Sequence, residues 1–230
     1  MKKILYICAL LFAVSCVEQS GFEPEESKVP VSVNILQTRT TIQGNQILFA
    51  GSEAMTLVCQ GVNAAKVSNG GANPNLFTGQ FRAIGSDTKN STFYAVYPYI
   101  GLTSNGNQSC LLPHLQKAPF DGNANYMCSY KASADYNEEN MPELTLSMTQ
   151  LMGIVKVSFT NTSAQYKDEL VKNVILTSST QLVGEFTIDF SDEGMPVPVF
   201  YGDDPTCRRV NSSYPTPVTL GLDKVHEVYI

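Results

Sequence analysis

VPVSVNIL, residues 29–36, decides the fold class. Val29, Val31, Val33 and Ile35 occupy every second position, with Pro30, Ser32 and Asn34 between them. Successive side chains of a strand point to opposite faces, so this spacing gives one wholly apolar face and one polar face. The alternation returns in GIVKVSFTN (153–161) through Val155, Val157 and Phe159, and in FTIDF (186–190) through Phe186, Ile188 and Phe190. FYAVYPY (93–99) and NVILTS (173–178) are rich in aromatic and β-branched residues, which suit strands. Between these runs lie clusters of turn formers such as SNGGANPN (68–75), FDGNAN (120–125) and SDEGMP (191–196). Many strands separated by such turns, with no segment holding a helical period, predict an all-β fold built of antiparallel β-sandwich domains. Val31, Val33, Ile35, Val155, Val157, Phe159, Phe186 and Ile188 are the expected core. Pro30 lacks an N–H for a sheet ladder, which points to an edge position for the first strand.

The pattern divides the chain near residue 150, giving an N-terminal sandwich over 29–150 and a C-terminal one over 151–230. The second is short. Apolar residues still recur at VHEVYI (225–230), so an incomplete second domain and a chain ending in a strand both fit.

The start of the chain follows a different logic. Lys2 and Lys3 precede an apolar run from Ile4 to Val14, about half the roughly 20 residues that cross a bilayer. That is the form of a secretory signal, here residues 1–15. The stretch LFAVSCVEQS (11–20) places Cys16 directly after a small residue, as a lipoprotein signal requires. A thiol there can carry a diacylglycerol thioether while the freed amine takes a further chain, and several chains make a stable anchor. Cys16 is therefore the expected lipid attachment site. Residues 16–28 form an acidic, proline-containing tether.

Removing Lys2 and Lys3 leaves 13 basic against 21 acidic residues, a net charge of −8. An acidic surface without a basic cluster argues against nucleic-acid binding. Of six cysteines, Cys8 leaves with the signal and Cys16 anchors the chain. Cys59, Cys110, Cys128 and Cys207 remain, either bridged in an oxidising compartment or buried as free thiols.

Catalytic chemistry finds little support. His114 and His226 are the available imidazoles, and neither adjoins a nucleophile motif. There is no H-E-x-x-H, C-x-x-C, EF-hand loop or phosphate-binding glycine loop, so the expectation is a non-enzyme with no metal and no cofactor. Tyr94, Tyr97 and Tyr99 could form a flat platform for sugar stacking, which makes a carbohydrate-binding surface lipoprotein of the outer membrane the alternative function. Alternation places Tyr97 and Tyr99 on the face of Phe93, which favours core packing instead.

Taken with the lipoprotein signal, four segments carry a family likeness: Thr38-Arg39-Thr40, Tyr94 to Pro98, Leu151 to Val157 in LMGIVKVSFTN, and Leu182 to Gly184 in a Leu-x-Gly turn. In order and spacing the chain resembles the fimbrillins of Bacteroides-type Gram-negative bacteria. That resemblance implies transthyretin-like β-sandwich domains and a structural or accessory subunit of surface fimbriae (pili) supporting adhesion. It implies export as a lipoprotein to the outer membrane, followed by cutting at Arg39 by an arginine-specific protease. It also implies donor-strand exchange, in which the strand holding Val29, Val31, Val33 and Ile35 is replaced by a strand of another fimbrial subunit. Host surface ligands are further implied partners.

Overall fold

The computed structural model describes residues 28–36, 41–43, 46–49, 51–61, 63–70, 72–82, 90–101, 108–135, 143–190 and 196–230. Among these the structure is all-β and layered, with 3-10 turns at Gly122–Ala124, Ala164–Tyr166 and Pro205–Arg208 as its helical elements. The strands up to residue 150 are β1 (Lys28–Ile35), β2 (Thr41–Gln43), β3 (Gln46–Leu48), β4 (Ala54–Cys59), β5 (Asn63–Asn69), β6 (Leu76–Arg82), β7 (Ser91–Tyr97), β8 (Gln108–Leu112), β9 (Leu115–Lys117), β10 (Met127–Ser129), β11 (Ala132–Ala134), β12 (Glu143–Leu146) and β13 (Met148–Gln150).

Nine of these make one sheet in the order β12-β1-β6-β5-β4-β7-β10-β13, with β11 pairing with β7 beside β10. β12 and β13 lie at opposite ends of this path yet are separated by one residue, Ser147. The path therefore returns on itself and encloses an interior. Val31, Val33, Leu57, Val67, Phe77, Phe81, Phe93 and Leu146 share that interior, each 2% exposed or less. Phe49 packs edge-on against Phe77 and Tyr97 with ring centroids 5.1 and 5.2 Å apart, a favoured aromatic geometry. Gly79 lies between Val31 of β1 and Val67 of β5, where a Cβ would approach Lys66 O to 2.6 Å and Val67 Cγ1 to 2.7 Å. Where β10 hands over to β11 along β7, the buried Ser129 Oγ accepts from Ala95 N at 2.8 Å and occupies the gap in the ladder.

β7 is buried on both faces. Phe93, Ala95 and Tyr97 face the first interior, while Tyr94 and Val96 face a second core with Val58, Cys128, Phe186, Ile188 and Phe190. The outer layer of that second core is a three-stranded sheet of β8, β16 (Gly184–Asp189) and β17 (Val197–Phe200), with β16 in the middle. Tyr126 meets Phe186 edge-on at 5.0 Å, and its hydroxyl donates to Leu111 O at 3.1 Å.

The remaining strands are β14 (Lys156–Thr160), β15 (Leu170–Thr177), β18 (Arg209–Thr219) and β19 (Val225–Tyr229). β14 pairs with β19, and β18 lies between β15 and β9. Ala118 N donates to Ser213 O at 2.9 Å and Tyr229 N to Pro119 O at 2.8 Å, so the segment after β9 links β18 to β19. The core here is small: Ala118, Tyr214 and Val228 are buried, with Phe159, Val171, Val174 and Val218 only partly covered.

Several expectations are modified. β1 is not simply an edge strand: β6 pairs with it from Lys28 to Asn34, and β12 covers its other side from Ser32 to Ile35. Pro30 sits in the half where β12 offers no partner, which is where a missing N–H is tolerated. The pairing is predominantly antiparallel, as expected, with the β1–β12 and β9–β18 pairings parallel. Val155 is 46% exposed, and Val157 and Phe159 are half-buried, because few elements cover the face they share. β8 and β9, from residues 108–117, pair with β16 and β18, so a segment from before residue 150 completes sheets formed after it.

Candidate functional site

The slot filled by β1 is the part of the molecule with the clearest capacity for a partner. Val29, Val31, Val33 and Ile35 are 5, 2, 0 and 1% exposed and point into the first interior. Behind them lie Phe77 and Phe81 of β6 and Leu144 and Leu146 of β12, all buried. Ile35 N donates to Asn75 O and Leu36 N to Leu146 O, each at 2.9 Å, which closes the end of the slot. Burying four aliphatic side chains contributes roughly 6–12 kcal/mol as an upper range, comparable with a whole domain's net stability of about 5–15 kcal/mol. Without β1 the slot would present an apolar floor between two strands with unpaired backbone groups, and an extended segment of matching alternation would fit it. Arg39 and Cys16, expected as processing and lipid-attachment sites, lie outside the described residues, as do Thr38 and Thr40.

The tyrosines expected as a possible sugar platform do not form one. Tyr94 and Tyr97 are buried on opposite faces of β7, Tyr94 donating through its hydroxyl to Gln60 Oε1 at 3.0 Å. Tyr99 is 37% exposed, with Lys66 Nζ 5.1 Å from its ring centre. His226 is buried and stacked on Phe159, 5.2 Å between ring centres, with Nε2 2.9 Å from Leu220 O. His114 is exposed on the rim of a cleft. Cys59, Cys110 and Cys128 are buried thiols outside any disulfide, and Cys207 is half-buried. Burial pushes Cys110 up to about 12 and Cys128 well above the usual thiol range, which removes the nucleophilic thiolate at neutral pH. Among the described residues no three His, Cys, Asp or Glu side chains converge to hold a metal.

Clefts also open elsewhere among the described residues. A narrow one of about 90 Å³ lies between layers, lined by Leu112, Phe120, Met152, Val155, Leu182 and Ile230 among others. A wider one of about 560 Å³ lies between the β8–β9 turn and the Pro205–Arg208 turn, with His114, Gln181, Glu185, Tyr201 and Asp204 on its walls. Asp204 caps that 3-10 turn, its Oδ1 accepting from Thr206 N and Oγ1 at 2.8 Å each. Those two hydrogen bonds hold its carboxyl below the usual range. The meeting of Asp204 with Gln181 and Tyr201 has no local signature in the sequence.

The fold and slot define an all-β protein of layered sandwich type, with its first strand built into the core it completes. No protein-family profile matches the chain, and no curated protein sequence matches it. Among solved structures, it is similar to a fimbrial assembly protein from Parabacteroides distasonis ATCC 8503, at 10% identity and a TM-score of 0.33, over 89% of this chain and 86% of that one. At that TM-score the likeness bears no functional weight.

Proposed function

We propose that this chain is a non-enzymatic structural or accessory subunit of a cell-surface fimbria, assembled by strand exchange at the slot of β1. The observation that supports this most is the burial of the whole apolar face of β1, a strand paired with β6 along its length and with β12 over Ser32–Ile35, shortly before the first arginine of the chain. A strand so placed protects an aggregation-prone groove until a substitute arrives. The resemblance of the four sequence segments to fimbrillins supplies the class of partner: other fimbrial subunits. On this reading Cys16 is acylated and holds the protein at the outer membrane, and an arginine-specific protease cuts after Arg39. The released slot then takes a strand from a neighbour, and host ligands are met by the assembled fibre.

The test treats the wild-type chain and Arg39→Ala with an arginine-specific protease and compares them by unheated gel electrophoresis, with the cut mapped by mass spectrometry. Wild type should form a ladder of oligomers, and Arg39→Ala should stay monomeric. Equal ladders would exclude Arg39 as the switch, and a cut protein that stays monomeric and stable would exclude strand exchange. Cys16→Ala should release the chain from membrane fractions or leave it as unprocessed precursor. A mature Cys16→Ala protein still in the outer membrane would exclude the lipid anchor.

A further inference from the structure

We propose that the cleft between the β8–β9 turn and the Pro205–Arg208 turn binds a neutral saccharide of one or two sugar units, with Tyr201 as the stacking face and Glu185 and Asp204 as hydroxyl acceptors. Its volume of about 560 Å³ falls within the range of small-molecule sites and far exceeds the space one side chain needs.

The wall chemistry selects the ligand. Glu185 and Asp204 offer acceptors, and among the described residues no lysine or arginine lines the cleft, which disfavours phosphate, sulfate and acidic sugars. Tyr201, Leu111 and Leu115 are 56, 57 and 57% exposed and give a sugar's C–H face an apolar surface beside those acceptors. Gln181 Nε2 donates to Val183 O at 2.9 Å, which fixes the amide's orientation. Its Oε1 is buried with no partner among the described residues, so Gln181 shapes the wall and leaves the accepting to Glu185 and Asp204.

The cleft is also held in shape. Leu182 N and Val183 N both donate to Cys207 O, at 2.9 and 3.1 Å, and Tyr201 N donates to Glu185 O at 3.2 Å. With Oδ1 of Asp204 occupied by Thr206, its Oδ2 is left for a ligand. Gly184 has φ +120°, and a Cβ there would come within 2.9 Å of Gln181 Nε2 and 3.0 Å of Cys207 Sγ. Glycine therefore leaves room for the Gln181 amide in this wall.

The test records amide spectra of the full chain during titration with lactose, maltose and N,N′-diacetylchitobiose, each to about 10 mM, the range in which single sugar sites saturate. At least one should shift the amides of Gly184, Tyr201 and Thr206 saturably. Tyr201→Ala should weaken that response about tenfold while Tyr201→Phe retains it, since the ring and not the hydroxyl does the stacking. Tyr201 is more than half exposed, so the alanine variant should fold normally, and its unfolding midpoint checks this. No saturable shift with any of the three, or equal affinity in Tyr201→Ala, overturns the assignment. Saturable shifts with N-acetyl-arginine amide instead would replace it with a site for a cationic side chain.

Discussion

β1 and β15 are both eight-residue strands with regularly placed aliphatic residues, yet their fates differ. In β1 the inward residues are 5% exposed or less. In β15, Val171, Val174 and Leu176 are half-buried while Leu170 and Ile175 are 62 and 46% exposed. Strand pairing does not account for this, since β15 pairs with β18 along most of its length, interrupted by one irregularity between Val171 and Asn173. The difference lies in what stands opposite. β1 faces an interior to which every strand of a nine-stranded sheet contributes, whereas Val171 and Val174 of β15 face a core with three buried members among the described residues, and Leu176 alone reaches the edge of the second core. Alternation creates an apolar face; layers decide whether it is dry.

The strongest way to break this comparison is to truncate one side chain on each side of it. Phe77→Ala removes a fully buried ring and should cost about 3–5 kcal/mol, against less than about 1 kcal/mol for Ile175→Ala, by urea unfolding. Equal losses would show that the second region is as tightly packed as the first. A matched pair of glycines sharpens the point. Gly79→Ala forces a Cβ against Lys66 O and should cost about 1–3 kcal/mol. Gly153→Ala meets nothing within 4 Å and should be neutral or slightly stabilising, by up to about 1 kcal/mol. Hydrogen exchange should show the same division, with the amides of β15 exchanging well before those of β1. Simultaneous exchange would mean that the two regions open as one unit.

The smallest effect concerns the surface of the second region, where Lys156 Nζ lies 2.6 Å from Glu227 Oε1 and Tyr229 Oη donates to Glu227 Oε2 at 3.1 Å. The lysine hydrogen bond is the main cause that lowers the Glu227 carboxyl, and the same bond raises Lys156. A depressed carboxyl contributes stability above its ordinary range and loses it as pH falls through the lowered value. A raised lysine contributes below its ordinary range and loses it as pH climbs through the raised value. The coupling in a double-mutant cycle of Lys156→Met and Glu227→Gln should therefore be small near pH 7, weaken in salt, and vanish in strong acid. A coupling that persists in strong acid would contradict an ionic origin.

Legibility in the sequence divides along the same line. Val31, Val33, Ile35, Phe186 and Ile188 were placed correctly because their alternation is local and their partners cover them fully. FYAVY showed its strand character, but alternation assigned only one of its faces to the core. A continuous apolar run belongs to a strand covered on both sides, and the second layer that covers Tyr94 comes from residues nearly a hundred positions away. Val155 failed for the opposite reason: the alternation was there and the cover was not. Of the candidate sites, the residues of the β1 slot were legible as a face, while its position between β6 and β12 was not. The saccharide cleft draws on four separated segments, so no short pattern announces it.

The crossing of β8 and β9 also dictates an order of events. The large sheet finds all its strands by residue 150, so it can close while the rest of the chain is still being made. β8 and β9 cannot, because β16 and β18 begin at residues 184 and 209. Until those arrive, β8 and β9 lack the strands that pair with them, β16 and β18, the kind of waiting intermediate that holdase chaperones bind. Residues 108–117 act as a clasp that shuts only after residue 150 has been passed, and a chain halted before β18 would be left with the β9 half of that clasp open.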